Sequence, residues 1–204
     1  MYSIEEGEYL VKLARETIEG YLSDGKVLET PEDMPEKLME RAGVFVTLKS
    51  YPEDDLRGCI GYPEPIMPLG EATIKAAISS ATKDPRFKPV SSAEFDHITV
   101  EISILTPPEL IEVEKPTGYL TEIEIGRDGL IVEKGMFRGL LLPQVPVEQG
   151  WNKEEFLSGT CMKAGLMPDS WYDLETRVYK FSGKVFSEIE PKGEVIERSL
   201  NVCD

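Results

Sequence analysis

The sequence predicts an α+β fold in which two β/α units share a mixed, barrel-like sheet. Three observations carry that expectation. Amphipathic helical segments and alternating strand segments follow one another along the whole chain, the strand runs come in hairpin pairs, and two stretches echo each other at near-constant spacing. "LRGCIGYP" at 56–63 is echoed by "FRGLLLPQ" at 137–144, and "GVFV" at 43–46 by "GLIV" at 129–132. Arg57 and Arg138 lie 81 positions apart, and Ile98 and Val178 lie 80 apart. An ancient duplication of a hairpin–helix–strand unit would give that spacing, with units at about 43–105 and 129–188 inside one domain of residues 1–190.

The elements follow in order. Ser3 and Glu6 form a capping box. Leu10, Leu13, Ala14, Thr17, Ile18 and Tyr21 then mark one helical face, closing near Gly25. "PEKLME" suggests a single helical turn. Residues 43–61 read as a hairpin around "YPEDD". "GEATIKAAISSATKD" is helical and "DPRFKP" stops it, because a residue before proline avoids helical geometry. Ser91 and Glu94 form a second capping box. In "ITVEISIL" the residues Ile98, Val100, Ile102 and Ile104 share one face, which predicts a half-buried strand. Short strands are expected around "TEIEI", "GLIVE" and "FRGLLL". A helix over "NKEEFLSGTCMKAG" takes Asn152 as N-cap and Gly165 as C′. "RVYKFSGKVFSEI" supplies the last strand or hairpin, and 191–204 reads as a polar tail.

Composition narrows the function classes. A formal charge of −16 disfavours non-specific binding to nucleic acid or anionic membranes. Cys59, Cys161 and Cys203 are odd in number and widely spaced, without a CxxC pair, which argues against a disulfide framework or thiolate zinc and fits a reducing compartment. The acidic N-terminus is unlike a signal peptide, and no apolar run approaches the roughly 18 residues that span a bilayer. The expected location is cytoplasmic.

The chemistry concentrates in "LRGCIG". On a strand Arg57 and Cys59 face the same way, where a guanidinium would lower the thiol pKa and make a nucleophile. Gly58 and Gly61 would admit a ligand or another backbone. The bland alternative makes Cys59 a small buried hydrophobe and pairs Arg57 with Asp54, Asp55 or a distant acid. Leu140 at the matching position of the echo means that the scaffold does not demand a thiol there. In "DPRF", Arg86 is presented from a loop to grip a carboxylate or phosphate with Asp84 as orienter or base, or the two simply pair while Phe87 plugs the core. Gln144 offers a neutral donor and acceptor beside a strand end. His97, the single histidine, sits at a strand start, where a surface or capping role is the ordinary one. "GRDG" (126–129) is read as a hairpin turn rather than a KH-type GxxG loop. Cys161 reads as structural and Cys203 as tail-borne. No spacing suggests a metal site, and no cofactor is called for.

At this point the chain resembles the AMMECR family. "LRGCIG" is its signature, and "SSATKDPRF", "ITVEISIL", "IGRDGLIV", "GLLLPQV", "EEFL" and "KAGL" follow in the family order over roughly residues 5–190. The resemblance implies a compact α+β protein with two β/α repeats and no established reaction. It also implies association with a Memo-like protein and a radical SAM protein, as the A component of the AmmeMemoRadiSam system. Three functions remain open: an enzyme using Cys59 with Arg57 on a small anionic or nucleotide-like substrate, with Gly58, Gly61, Asp84, Arg86 and Gln144 in the binding cleft; a non-catalytic binding or adaptor module for those partners; and, more weakly, nucleotide or RNA recognition through Arg57, Arg86 and Lys88.

Overall fold

Helices and antiparallel strands alternate along the chain, so the α+β class holds. The computed structural model describes residues 2–198. The chain divides into two compact units: the first takes the chain up to Leu105 and returns from Lys184, and the second runs Thr106–Gly183.

In the first unit, α1 (Ile4–Asp24) opens on the Ser3–Glu6 capping box and stops at Gly25, whose φ of 74° is the left-handed geometry that glycine adopts freely. A 3₁₀ turn at Glu36–Met39 seats buried Leu38. Strands β1 (Gly43–Ser50) and β2 (Leu56–Tyr62) form the hairpin. Helix α2 (Leu69–Thr82), the short capped α3 (Ser92–Phe95) and β3 (Ile98–Leu105) follow. β1 is the central strand, antiparallel to β2 on one side and to β3 on the other. One face carries Val44, Val46, Leu48, Val100, Ile102 and Ile104, which form a core with Leu10, Ile18, Ala72 and Ala76 of α1 and α2. The other face is mostly polar, with Thr47, Thr99, Glu101 and Ser103 beside Phe45 and Leu105.

That polar face corrects one expectation. β3 is not half-buried; all eight of its residues are shielded, including Glu101 at 7% exposure. Burial of the carboxylate is offset by cations, with Lys49 at 3.6 Å and Arg198 at 4.0 Å. Alternation in sequence reports which residues share a face, not whether the polar face meets water.

In the second unit β4 (Glu109–Leu110), a 3₁₀ turn at Pro116–Gly118 and α4 (Tyr119–Glu122) precede the hairpin β5 (Asp128–Lys134) and β6 (Phe137–Leu141). Then come α5 (Gln144–Gln149), α6 (Lys153–Lys163), a 3₁₀ turn at Ser170–Tyr172 and β7 (Arg177–Glu188). Here β5 is central, between β6 and β7. Leu130, Val132, Phe156, Leu157, Cys161, Trp171 and Val178 make the core. α6 has the Asn152 capping box, and Gly165 stands beyond its end with φ 80°. "TEIEI" is not a strand. Pro116 opens the helical turns there, and Ile123 packs into the core from a bend rather than by alternation. Helix α5 is not anticipated by the sequence reading either, since Pro146 lies inside it.

From Lys184, β7 belongs to the first unit and pairs antiparallel with β8 (Val195–Arg198). Part of the expected polar tail is therefore a strand, Val195–Arg198, held by ladder bonds and by buried Val195. Cys203 lies outside the described residues. Each unit thus has a hairpin whose first strand is central and whose later strand completes the sheet. That is a likeness of topology; it does not demonstrate a duplication. No helix among the described residues is long and apolar enough to cross a membrane.

Candidate functional site

β2 has β1 on one side only, and in an antiparallel pair alternate residues direct their backbone N–H and C=O outward. Cys59 is such a residue, and the loop after α2 closes over it. The Asp84 carboxylate accepts the Cys59 N–H at 2.8 Å, and Arg86 reaches the Cys59 carbonyl at 3.4 Å. Arg86 in turn forks onto Asp84, with bonds of 3.0 and 2.7 Å. The two side chains occupy the place a further strand would take, which blunts an edge otherwise open to pairing. The structure thus brings "LRGCIG" and the "DPRF" loop together.

Arg57 and Cys59 do share a face, as strand alternation requires, but the guanidinium does not serve the thiol. Arg57 is tied to Glu94 through Nε, donates to the Lys88 carbonyl at 2.8 Å and lies over the Phe87 ring at 5.7 Å. Arg86 approaches the same ring at 5.4 Å. Phe87 is thus flanked by two guanidinium groups, each neutralised by its own carboxylate. Of the pairings open to Arg57, the distant acid is the one formed.

The thiol has other neighbours. Thr47, its cross-strand partner on β1, donates to Sγ at 3.4 Å, and Glu101 sits opposite Thr47 on β3. Burial pushes the Cys59 thiol above its ordinary pKa; Thr47 and Arg86 pull it down, while Glu101 and Asp84 add to the rise. Cys59 is therefore a protonated, half-buried thiol at neutral pH. His97 is exposed at the start of β3, where its carbonyl accepts the Tyr51 N–H. Among the described residues no group of three or more His, Cys, Asp or Glu could hold a metal ion.

The space beside the two glycines is taken by the protein itself. A Cβ on Gly58 would lie 2.2 Å from the Ser80 carbonyl oxygen of α2, and one on Gly61 would lie 2.3 Å from the Val44 oxygen and 2.5 Å from the Phe45 ring. Gln144 belongs to the second unit, on the first turn of α5, and is not among the residues gathered around Cys59. In that unit Gly139 repeats the role of Gly58, its Cβ position lying 2.3 Å from the Ala164 nitrogen. Cys161 is fully buried in the second core, and its thiol is pushed up to about 11 by that burial.

Sequence reasoning missed Thr47, Glu94 and Glu101. Thr47 follows from the hairpin register once the turn length is known. Glu94 was visible as the capping-box residue of α3, and it also receives Arg57, a second role that no local pattern signals.

The clamp has a testable pH signature. Arg86 above all, with the Cys59 and Arg86 backbone amides, holds the Asp84 carboxyl down to about 2, against an opposing effect of burial. A depressed carboxyl contributes stability above its unfolded pKa of about 3.9, and that contribution disappears as pH falls toward 2. The Arg86 side chain is 53% exposed, so solvent screening reduces the gain to about 1–2 kcal/mol. Urea unfolding of Asp84→Asn should show that deficit at pH 7 and little of it near the acid end. An equal deficit at both pH values would rule out the ion pair as its source.

The comparisons place these features in known company. The AMMECR1 family model matches residues 11–186. The protein MJ0810 of Methanocaldococcus jannaschii is 56% identical over 200 residues, covering 98% of both chains. PH0010 of Pyrococcus horikoshii is 58% identical over 199 residues, covering 96% of each. The crystal structure titled as the uncharacterized protein PH0010 from Pyrococcus horikoshii superposes with a TM-score of 0.89 over 96% of this chain and 97% of that one. With a family model running through both units and relatives alike along nearly their full length, this chain belongs to the AMMECR1 family.

Proposed function

We propose that the protein is a non-catalytic binding module, in which "LRGCIG" and the "DPRF" loop build a rigid docking face instead of a nucleophile. The observation that carries this is the state of the two arginines. Arg57 is spent on Glu94 and Arg86 chiefly on Asp84, and the remaining pull of Arg86 on the thiol is outweighed by burial. Burial keeps the thiol protonated, and among the described residues the hydrogen bond to its sulfur comes from the Thr47 hydroxyl, not from a base. The same locks make the loop well suited to recognition, because its exposed residues Lys83, Pro85 and Lys88 are presented on a frame that loses little entropy on binding. The partners, on the family resemblance, are a Memo-like protein and a radical SAM protein, in the cytoplasm.

Co-precipitation with those two purified partners tests the proposal. Binding should survive Cys59→Ser and fail in the surface variant Lys83→Glu/Lys88→Glu. No binding to either partner by the unmodified protein would sink it.

The thiol supplies an independent check. Iodoacetamide should alkylate Cys59 more slowly than a free model cysteine at pH 7, with an apparent pKa above the ordinary value of about 8.5. Rapid alkylation with a pKa well below that value would restore the enzymatic reading, in which Cys59 and Arg57 act on a small anionic substrate.

A further inference from the structure

The second unit carries an apolar surface that neither its core nor the face around Cys59 uses. Met136 is 90% exposed and Met167 70%; Phe137, Met162, Tyr172 and Leu174 are each about half exposed or more. Three segments bring these residues to one side. The tip of the β5–β6 hairpin carries Met136 and Phe137, and Phe137 lies 3.7 Å from the Cβ position of Gly165, a residue that falls between Met162 and Met167 in the sequence. Lys134 at the same tip bonds Asp173 at 2.6 Å, which draws in Tyr172 and Leu174. The Tyr172 ring is stacked on Trp171 at 3.8 Å, so its exposure is not disorder.

We infer that this methionine-rich face is where a second copy of the chain docks. Its six large apolar residues, each about half exposed or more, match in extent the largest apolar patches of monomers, about 300–600 Å², and approach the ~800 Å² that each partner of a stable complex buries. Charge chooses the occupant. The chain as a whole is at −16, yet around this face the signs are balanced. Lys134 is bonded to Asp173, and Glu133 stands 3.1 Å from Arg138 and 3.5 Å from Arg177. A basic partner would find stronger attraction elsewhere on the molecule. A like copy meets its least repulsion here, and pairs of both signs on the rim are self-complementary under a two-fold axis. Methionine suits such a contact, because its unbranched side chain adapts to an identical surface without a preset fit.

Sedimentation of the full chain between about 1 and 100 µM tests the inference. The chain should pass from monomer to dimer in that range. Dimerisation should tighten when salt rises from about 50 to 500 mM, because salt screens the repulsion between two acidic chains. Met136→Ser/Met167→Ser should remain monomeric, with a melting point equal to that of the wild type at about 1 µM, where both are monomers, since both side chains are largely exposed. A wild-type chain that stays monomeric at high salt overturns the inference. So does a dimer that persists in the double variant, or one that dissociates as salt is raised. None of these outcomes bears on the partner-binding proposal, whose variants lie in the other unit.

Discussion

Replacing Arg15 with methionine should destabilise the protein by about 3–5 kcal/mol, the usual consequence of removing one partner from a buried ion pair. The side chains of Arg15 and Glu188 are 7% and 3% exposed. The guanidinium forks onto Glu188, donates to the Ile98 carbonyl at 2.6 Å and stacks 4.7 Å over Phe95. Glu188 also accepts the Val100 N–H at 2.9 Å. The pair therefore joins α1, β3 and β7 inside the first unit. Without Arg15 the Glu188 carboxylate stays buried with the Val100 N–H as its remaining bond, which leaves its desolvation largely uncompensated. Arg15→Met/Glu188→Leu should recover part of the loss, because no charge is then stranded, although Val100 still loses its acceptor. Urea titrations of both variants measure this. A single variant within about 1 kcal/mol of wild type would mean that the pair is solvated.

Gly58→Ala is expected to cost about 3 kcal/mol, or roughly 10 °C in melting temperature for a chain of this size. The new methyl would stand 2.2 Å from the Ser80 carbonyl oxygen and 3.1 Å from its carbon. Those are backbone atoms of α2, which cannot swing aside as a side chain can. Relief requires α2 to move away from β2, and Asp84 and Arg86 follow the end of that helix. The variant should therefore weaken the clamp on Cys59 together with the core. Cys59→Ala should change the melting temperature far less, because it removes a side chain and leaves the clamped backbone in place. Thermal melts of the two variants side by side decide the matter. Equal losses would mean that the thiol, not the glycine, organises this region.

These two residues show where sequence reasoning reached its limit. Arg15 lies beside the apolar face of α1, and helical period says nothing of what its guanidinium meets. Its partner is 173 residues away, so no local window relates the two. Gly58 was legible as a close approach, but the sequence could not say whether the visitor was a ligand or the protein's own helix. The tail failed for a related reason. "VIER" is too short to read as a strand alone and becomes one only because β7 offers it a register. Helix α5 and the bend at "TEIEI" were misread because proline and alternation are local signals that packing overrode there.

By itself the sequence determined the class, most element positions, the caps at Ser3, Ser91 and Asn152, the hairpin carrying "LRGCIG", and the common face of Arg57 and Cys59. All of these follow from short-range rules: alternation, helical period, and side-chain bonds within one turn. Only the tertiary structure decided what each charged group would face. Arg57 turned to Glu94, Arg86 to Asp84, and Thr47 to the thiol, so the same residues that spell a reactive cysteine in one dimension form a latched edge strand in three. A pKa depends on burial and on charges a few ångströms away, and that distance is unrelated to separation along the chain.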